Sequence, residues 1–209
     1  MSAKRTIAAL SSGAASPTPA KKKPVFHGGW QNLLKTYIDA PESFGAGVVK
    51  QFDDNLVVIC DAFPKAKKHW LVLPRTTSAD SVAQLTKVHL PILHLLAATF
   101  DTIKLEHPDI NLRAGFHALP SMAHLHLHVI SDDFVSPALK HKKHWNSFTT
   151  RFFIPLDEVL RQVQESGKVE INDKEFEELL KGPLVCHKCG KTQKNIPTLK
   201  QHLEHHLKE

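Results

Sequence analysis

The chain has 209 residues, 42% of them hydrophobic and 23% charged, which suits one main core with a small satellite and excludes a disordered or low-complexity protein. Three cysteines exclude a disulfide framework and suit a reducing compartment, and an N-terminus without a continuous apolar core excludes a secretory signal. The net charge of +6 is uneven, because residues 1–24 carry five basic and no acidic side chains, so global basicity says little about a polyanion partner.

Residues 1–24, rich in Ala, Ser, Pro and Lys, are expected to be a disordered basic tail in which Lys21-Lys22-Lys23-Pro24 resembles a nuclear-import signal. The apolar spacing Trp30, Leu33, Leu34, Tyr37, Ile38 predicts an amphipathic helix ended before Pro41. Strands are predicted over 47–50, 56–60 and 70–73, with Cys60 read as core packing. A long helix is predicted from about 81 to 106, kinked or broken at Pro91. Without a continuous run of about 18 apolar residues, no membrane span is expected. Strands at 113–118 and 124–131 follow, then a helix near 156–164, a short strand near 169–171 and a helix near 173–180. Strands around one long helix imply an α+β domain with a mainly antiparallel sheet.

The most specific segment is Ala123-His124-Leu125-His126-Leu127-His128-Val129-Ile130. Strict alternation without Gly or Pro predicts a strand, and alternate residues share one face about 6.6 Å apart. His124, His126 and His128 would therefore line one side. Such a face suits two chemistries. One is metal ligation, which needs a further ligand and orienting carboxylates. The other is attack of a neutral imidazole on phosphorus, with neighbouring imidazoles and hydroxyls holding the phosphoryl oxygens. The flanking Gly115-Phe116-His117-Ala118-Leu119-Pro120-Ser121 brings no carboxylate, which favours handling an anion. Basic patches lie at Lys140, Lys142, Lys143 and Arg151, with His141 and His144 interleaved, and at Lys188, Lys191, Lys194, Lys200 and Lys208.

Near the C-terminus, Cys186-His187-Lys188-Cys189 is followed by His202 and His206, one helical turn apart. This is the spacing of a two-Cys, two-His zinc site, with Leu199 and Leu203 as its apolar core. Zinc is expected to be structural here, since so short a segment does not fold without metal. Lys188, Lys191 and Lys194 are read as phosphate-backbone contacts.

The run His124-Leu125-His126-Leu127-His128-Val129-Ile130 resembles the motif of the histidine-triad nucleotide hydrolases and transferases. Gly115–Ala118, Pro120–Met122, Phe63–Lys67, His69–Pro74, Ser136-Pro137 and His144–Phe148 resemble the branch of that family that processes DNA ends, over roughly residues 28–207. The resemblance implies an α+β histidine-triad catalytic domain over 25–150, then a helical connector and the zinc finger over 151–209. It implies that His126 is the nucleophile, that His128 orients it and binds phosphate, and that His117 is the general acid. It also implies phosphoryl contacts from Ser121, Lys65 and Lys140, support from His124, ribose recognition by Asp61 and an adenosine pocket walled by Phe63 and Leu56. Lys67 and His144 join the DNA-contacting set, and Trp30 is implied to wedge against a terminal base pair.

The expected activity is removal of AMP from 5′-adenylated DNA ends by a nuclear monomer. RNA–DNA junctions and guanylated 3′ ends are further expected substrates, and no membrane is involved. The competing expectation is a general nucleotide hydrolase of the same family, acting on small adenylated amines or dinucleotides.

Overall fold

A computed structural model describes residue 29 and residues 32–206. The calls on the tail, its basic cluster and Trp30 lie outside the described residues. The first helix, α1 (Leu33–Asp39), buries Leu34, Tyr37 and Ile38. The strands β1 (Val49–Phe52), β2 (Leu56–Cys60) and β3 (His69–Pro74) follow as an antiparallel meander.

Two 3-10 turns at Val82–Gln84 and Lys87–His89 precede α2 (Leu90–Glu106). Pro91 therefore starts a helix instead of kinking one; its missing N–H costs nothing in a first turn. Lys87–Glu106 has the length and mean hydropathy, 1.2, of a membrane span, a qualification the apolar-run count misses. Here Leu93, Leu96 and Ile103 pack on the sheet, so it is the core helix.

The strands β4 (Leu112–His117) and β5 (Leu127–Ser131) and the helix α3 (Lys142–Thr149) come next. They are followed by β6 (Phe153–Pro155), α4 (Leu156–Ser166) and α5 (Asp173–Lys181). All six strands form one antiparallel sheet in the order β1-β2-β3-β5-β4-β6. The expected strand near 169–171 is absent; the one pairing nearby is an isolated bridge between Thr86 and Lys168. Neither α3 nor β6 was predicted.

Period-two alternation sorts the sheet into two faces. Leu56, Val58, Val72, Ala114, Phe116, Leu127 and Val129 face α2 and α4 and form the main core. On the opposite face, Val57, Ile59, Leu71 and Leu73 pack under α1, while Ile130 and Phe153 pack with Trp145 and Phe148 of α3. The groove between α1 and α3 has a floor formed by β3, β5 and β4.

Ile154, Leu156, Val159 and Val163 belong to the main core, and β6 pairs with β4. The first elements after residue 150, where the connector is expected to begin, therefore pack on the same sheet and extend its core.

The C-terminal unit is a hairpin of β7 (Leu184–Val185) and β8 (Thr192–Gln193), then α6 (Ile196–His206). Leu199 and Leu203 are buried as expected, but not in a core of their own. They join Leu184 and Cys186 in one cluster with Ile130, Phe134, Trp145 and Phe148. Three polar ties reinforce the contact. Trp145 Nε1 donates to the Val185 carbonyl at 2.9 Å, His187 Nε2 to that of Asp132 at 3.0 Å, and Lys200 Nζ to that of Ser136 at 2.8 Å. Lys200 is therefore an anchor and not a free surface cation.

Candidate active site

The histidine run is not the uniform strand its alternation predicts. β5 begins only at Leu127, and His124 adopts a left-handed backbone with φ of 77°. Its ring turns away and donates from Nε2 to the Pro74 carbonyl at 2.6 Å, so His124 does not line the cavity described below. The catalytic assignment of the His124 side chain is thus corrected. Its backbone does the work instead: the His124 carbonyl accepts a hydrogen bond from His126 Nδ1 at 2.8 Å.

That bond decides the His126 tautomer. A carbonyl only accepts, so Nδ1 carries the proton and Nε2 keeps a lone pair. Burial holds the His126 pKa below the ordinary imidazole value, against opposing contributions from the His124 carbonyl and Asp61. A neutral ring with a free Nε2 is the form a nucleophile needs.

His128 is set by a residue the sequence reading missed. His69, at the start of β3, is buried and lies 3.0 Å from His128, Nε2 to Nδ1. The backbone N–H of Lys65 donates to His69 Nδ1 at 3.2 Å, so the His69 proton sits on Nε2 and points at His128. His128 Nδ1 then accepts, leaving its proton on Nε2, a buried atom with no partner among the described residues. His117 Nε2 is likewise buried without one, and the two rings lie 4.3 Å apart. Unsatisfied buried groups are costly, and a phosphoryl oxygen would satisfy them. The signal for His69 was a histidine opening a second apolar run; only the β3–β5 register, with Leu71 opposite His128, shows that the two rings meet.

Gly115 pairs with His128 across β4 and β5. A Cβ there would lie 2.6 Å from Phe153 Cε1 and from the Ile154 carbonyl, so only glycine lets β4 and β6 close around the site.

These groups open into a cavity of about 530 Å³, within the range of small-ligand sites. Leu33, Leu34, Tyr37, Ile59, Leu71 and Met122 line an apolar end. His69, His117, His126 and His128 form the middle, with Ser121 and Lys65, while Lys140, Lys143, His144 and Ser147 line the side under α3. Asp61 and the half-exposed Phe63 also line the cavity. Leu56 does not contribute. It lies in the main core on the α2 side, because β2 directs the Leu56 and Val58 side chains there and Ile59 toward the cavity. Lys67 is exposed outside the cavity, with its backbone tied to Asp133. Arg151 is engaged with Glu175 at 2.5 Å. Lys188 and Lys191 are exposed on the finger.

Asp61, His69 and His128 also place donor atoms within 4.8 Å of one another. His69 Nε2 and His128 Nδ1 are already engaged with each other at 3.0 Å, so the pair reads as a hydrogen-bonded unit that orients His128, not as a metal cage. His69 lies 3.6 Å from Asp61, yet burial outweighs the carboxylate and pushes its pKa down to about 4. Burial, then neighbouring histidines and lysines, hold His117 and His128 well below the usual value.

All four histidines are thus neutral when folded and take up protons more readily when unfolded. Above about pH 6.5 both states are neutral and stability is complete. As pH falls from 6.5 toward 4, only the unfolded chain gains protons, so stability drops, by about 3 kcal/mol from His69 alone. The urea midpoint should fall steadily over that window. A flat profile would contradict the neutral assignment.

In the finger, Cys186, Cys189, His202 and His206 bring their ligand atoms within 4.8 Å of one another. Cys189 Sγ and His206 Nε2 lie 3.1 and 3.2 Å from His202 Nε2. A zinc tetrahedron has edges of about 3.3–3.8 Å, a few tenths of an ångström longer than these two, and two thiols with two imidazoles are the donor types that ion takes. Gly190, with φ of 73°, turns the chain so that its N–H reaches the Cys186 carbonyl at 2.9 Å.

The sheet, the groove and the imidazole arrangement define a protein of the histidine-triad class. Comparison with known proteins narrows this. A family model described as scavenger mRNA decapping enzyme C-term binding matches residues 37–144, and one described as C2HE / C2H2 / C2HC zinc-binding finger matches 149–209. The chain is 46% identical to aprataxin of Danio rerio over 183 residues, covering 86% of this chain and 54% of that protein. It is 34% identical to an aprataxin-like protein of Saccharomyces cerevisiae over 210 residues, covering 84% and 94%. A solved structure of Hnt3 in complex with DNA and guanosine superposes with a TM-score of 0.70 at 27% identity, covering 86% of this chain and 96% of that one. The chain belongs to the aprataxin family. It spans about half the length of the Danio rerio, Gallus gallus and Ciona intestinalis aprataxins it matches.

Proposed function

We propose that this chain is a DNA-end hydrolase that removes AMP from 5′-adenylated ends through an adenylyl-histidine intermediate. The observation that carries the reading is the tautomer of His126: its Nε2 lone pair faces a cavity beside two buried imidazole nitrogens that have no hydrogen-bond partner among the described residues. In the first step, Nε2 attacks the adenylate phosphorus, the P–O bond to the DNA 5′-phosphate breaks, and a P–N bond forms. His128 donates from Nε2 to a phosphoryl oxygen, and Ser121 and Lys65 hold the others. His117, neutral in the empty site, gains a proton as the phosphates raise its pKa and passes it to the departing 5′-phosphate. In the second step water attacks phosphorus, the P–N bond breaks, and AMP leaves.

Lys140 and Lys143 under α3 meet the nucleic-acid backbone, with His144, whose pKa burial holds below the ordinary imidazole value, as a polar contact beside them, together with Lys188, Lys191 and Lys194 of the finger. Cys186, Cys189, His202 and His206 hold a structural zinc, which fixes the finger and takes no part in the chemistry. The enzyme works as a monomer. A nuclear location is part of the proposal, supported by the likeness of Lys21–Pro24 to an import signal, and RNA–DNA junctions and guanylated 3′ ends are further proposed substrates.

The test compares AMP release from an adenylated nicked duplex with release from a small adenosine phosphoramidate. The nick should be favoured at least about 100-fold in kcat/KM, and its affinity should fall with salt by a slope of about −0.9 for each phosphate contacted. Preference for the small amide and a salt-insensitive affinity would make the chain a general nucleotide hydrolase of the same class.

A further inference from the structure

Tyr37 is the aromatic residue at the apolar end of the cavity whose polar tip is unaccounted for. α1 places it on its buried face, the ring lies 4.6 Å from that of Phe44, and the residue is only 9% exposed. Its hydroxyl makes no hydrogen bond with a described residue, yet it is not sealed from solvent. The residue lines the cavity, on the same wall as Ile59 and Leu71. Burial, and then the nearby Asp61 carboxylate, raise the phenol pKa, so the group is a protonated donor.

Asp61 is the one carboxylate lining that cavity among the described residues. Its Oδ1 accepts from the Phe63 N–H at 2.7 Å. Oδ2 lies 3.6 Å from His69 Nδ1, beyond hydrogen-bonding distance, and keeps its lone pairs. A carboxylate repels a nucleotide phosphate, so its presence is favourable only where the ligand brings neutral donors to it. A ribose does so. One of its vicinal hydroxyls can donate to Asp61 while another accepts from the phenol.

We infer that Tyr37 is a specificity-determining residue whose phenol, beside Asp61, hydrogen-bonds a ribose hydroxyl of the transferred nucleotide and so selects ribonucleoside over deoxyribonucleoside monophosphates. The inference rests on the nucleotidyl-transfer reading and adds a reason why the deoxynucleotides of the DNA strand are not themselves attacked. A site built to bond a hydroxyl rejects the analogue lacking it, because its own polar groups are then left unpaired.

The test uses Tyr37→Phe, which keeps the ring on Phe44. Binding of AMP, 2′-deoxy-AMP and 3′-deoxy-AMP is measured by calorimetry, alongside nucleotide release from DNA ends capped with each. Wild type should prefer AMP over at least one deoxy form by about tenfold or more. In Tyr37→Phe, AMP affinity should fall about tenfold, while the deoxy form lacking the hydroxyl that Tyr37 reads is unaffected. Unchanged discrimination in the variant, equal loss for all three nucleotides, or no discrimination in wild type would overturn the inference. If wild type discriminates in binding but releases nothing from DNA, the hydrolase reading fails while the role of Tyr37 stands.

Discussion

Replacing His126 with alanine should lower AMP release from an adenylated DNA end by at least about 10⁴-fold, the scale seen when a covalent nucleophile is removed. Binding of that end should change by no more than about threefold, because the cations under α3 and on the finger are untouched. In the proposed mechanism the two effects separate, because His126 would contribute a lone pair to bond formation, whereas His128, His117 and the lysines that line the same cavity would hold the phosphates. Single-turnover release and equilibrium binding measure the two quantities independently. Mass spectrometry of the quenched wild-type reaction should find one adenylyl group on His126. Ordinary turnover in the variant, or an adduct on another residue, would remove the mechanism.

Removing the metal with a chelator should lower the thermal midpoint of the whole chain by more than about 10 °C. The finger's Leu184, Leu199 and Leu203 are not a separate core; they cover Ile130, Phe134 and Trp145 of the catalytic layer. Without the ion to close the Cys186, Cys189, His202 and His206 cluster, that cover loosens. Each large apolar side chain returned to water costs about 1.5–3 kcal/mol, and 1 kcal/mol moves the midpoint of a chain this size by about 2–4 °C. Differential scanning calorimetry with and without chelator is the measurement. Two transitions, with the upper one unmoved, would show instead that the finger and the catalytic layer are energetically independent.

Much of the fold was legible locally. The apolar spacing of Leu34, Tyr37 and Ile38 marks α1, and the branched runs at Leu56–Cys60 and His69–Pro74 mark β2 and β3, all within two or three residues of their observed bounds. The short β6 carries too few residues for a period to register, and it exists because β4 is there to pair with it. α3 was hidden because its basic, solvent-facing first turn reads as a charge patch, while Trp145 and Phe148 reveal their buried face only in three dimensions.

The sequence by itself determined the parity of His126 and His128 and the ligand spacing of the finger, because side-chain direction along a strand and around a helix follows from backbone geometry alone. Only the tertiary structure decided which nitrogen of each ring holds its proton. That depends on a left-handed turn at His124 and on His69 arriving from 59 residues away. It also decided that Leu56 faces the core while Ile59 faces the cavity, and that the finger completes the wall behind α3. Strand register and the packing of distant segments arise from the whole chain burying its apolar surface at once, and no local window of sequence contains that information.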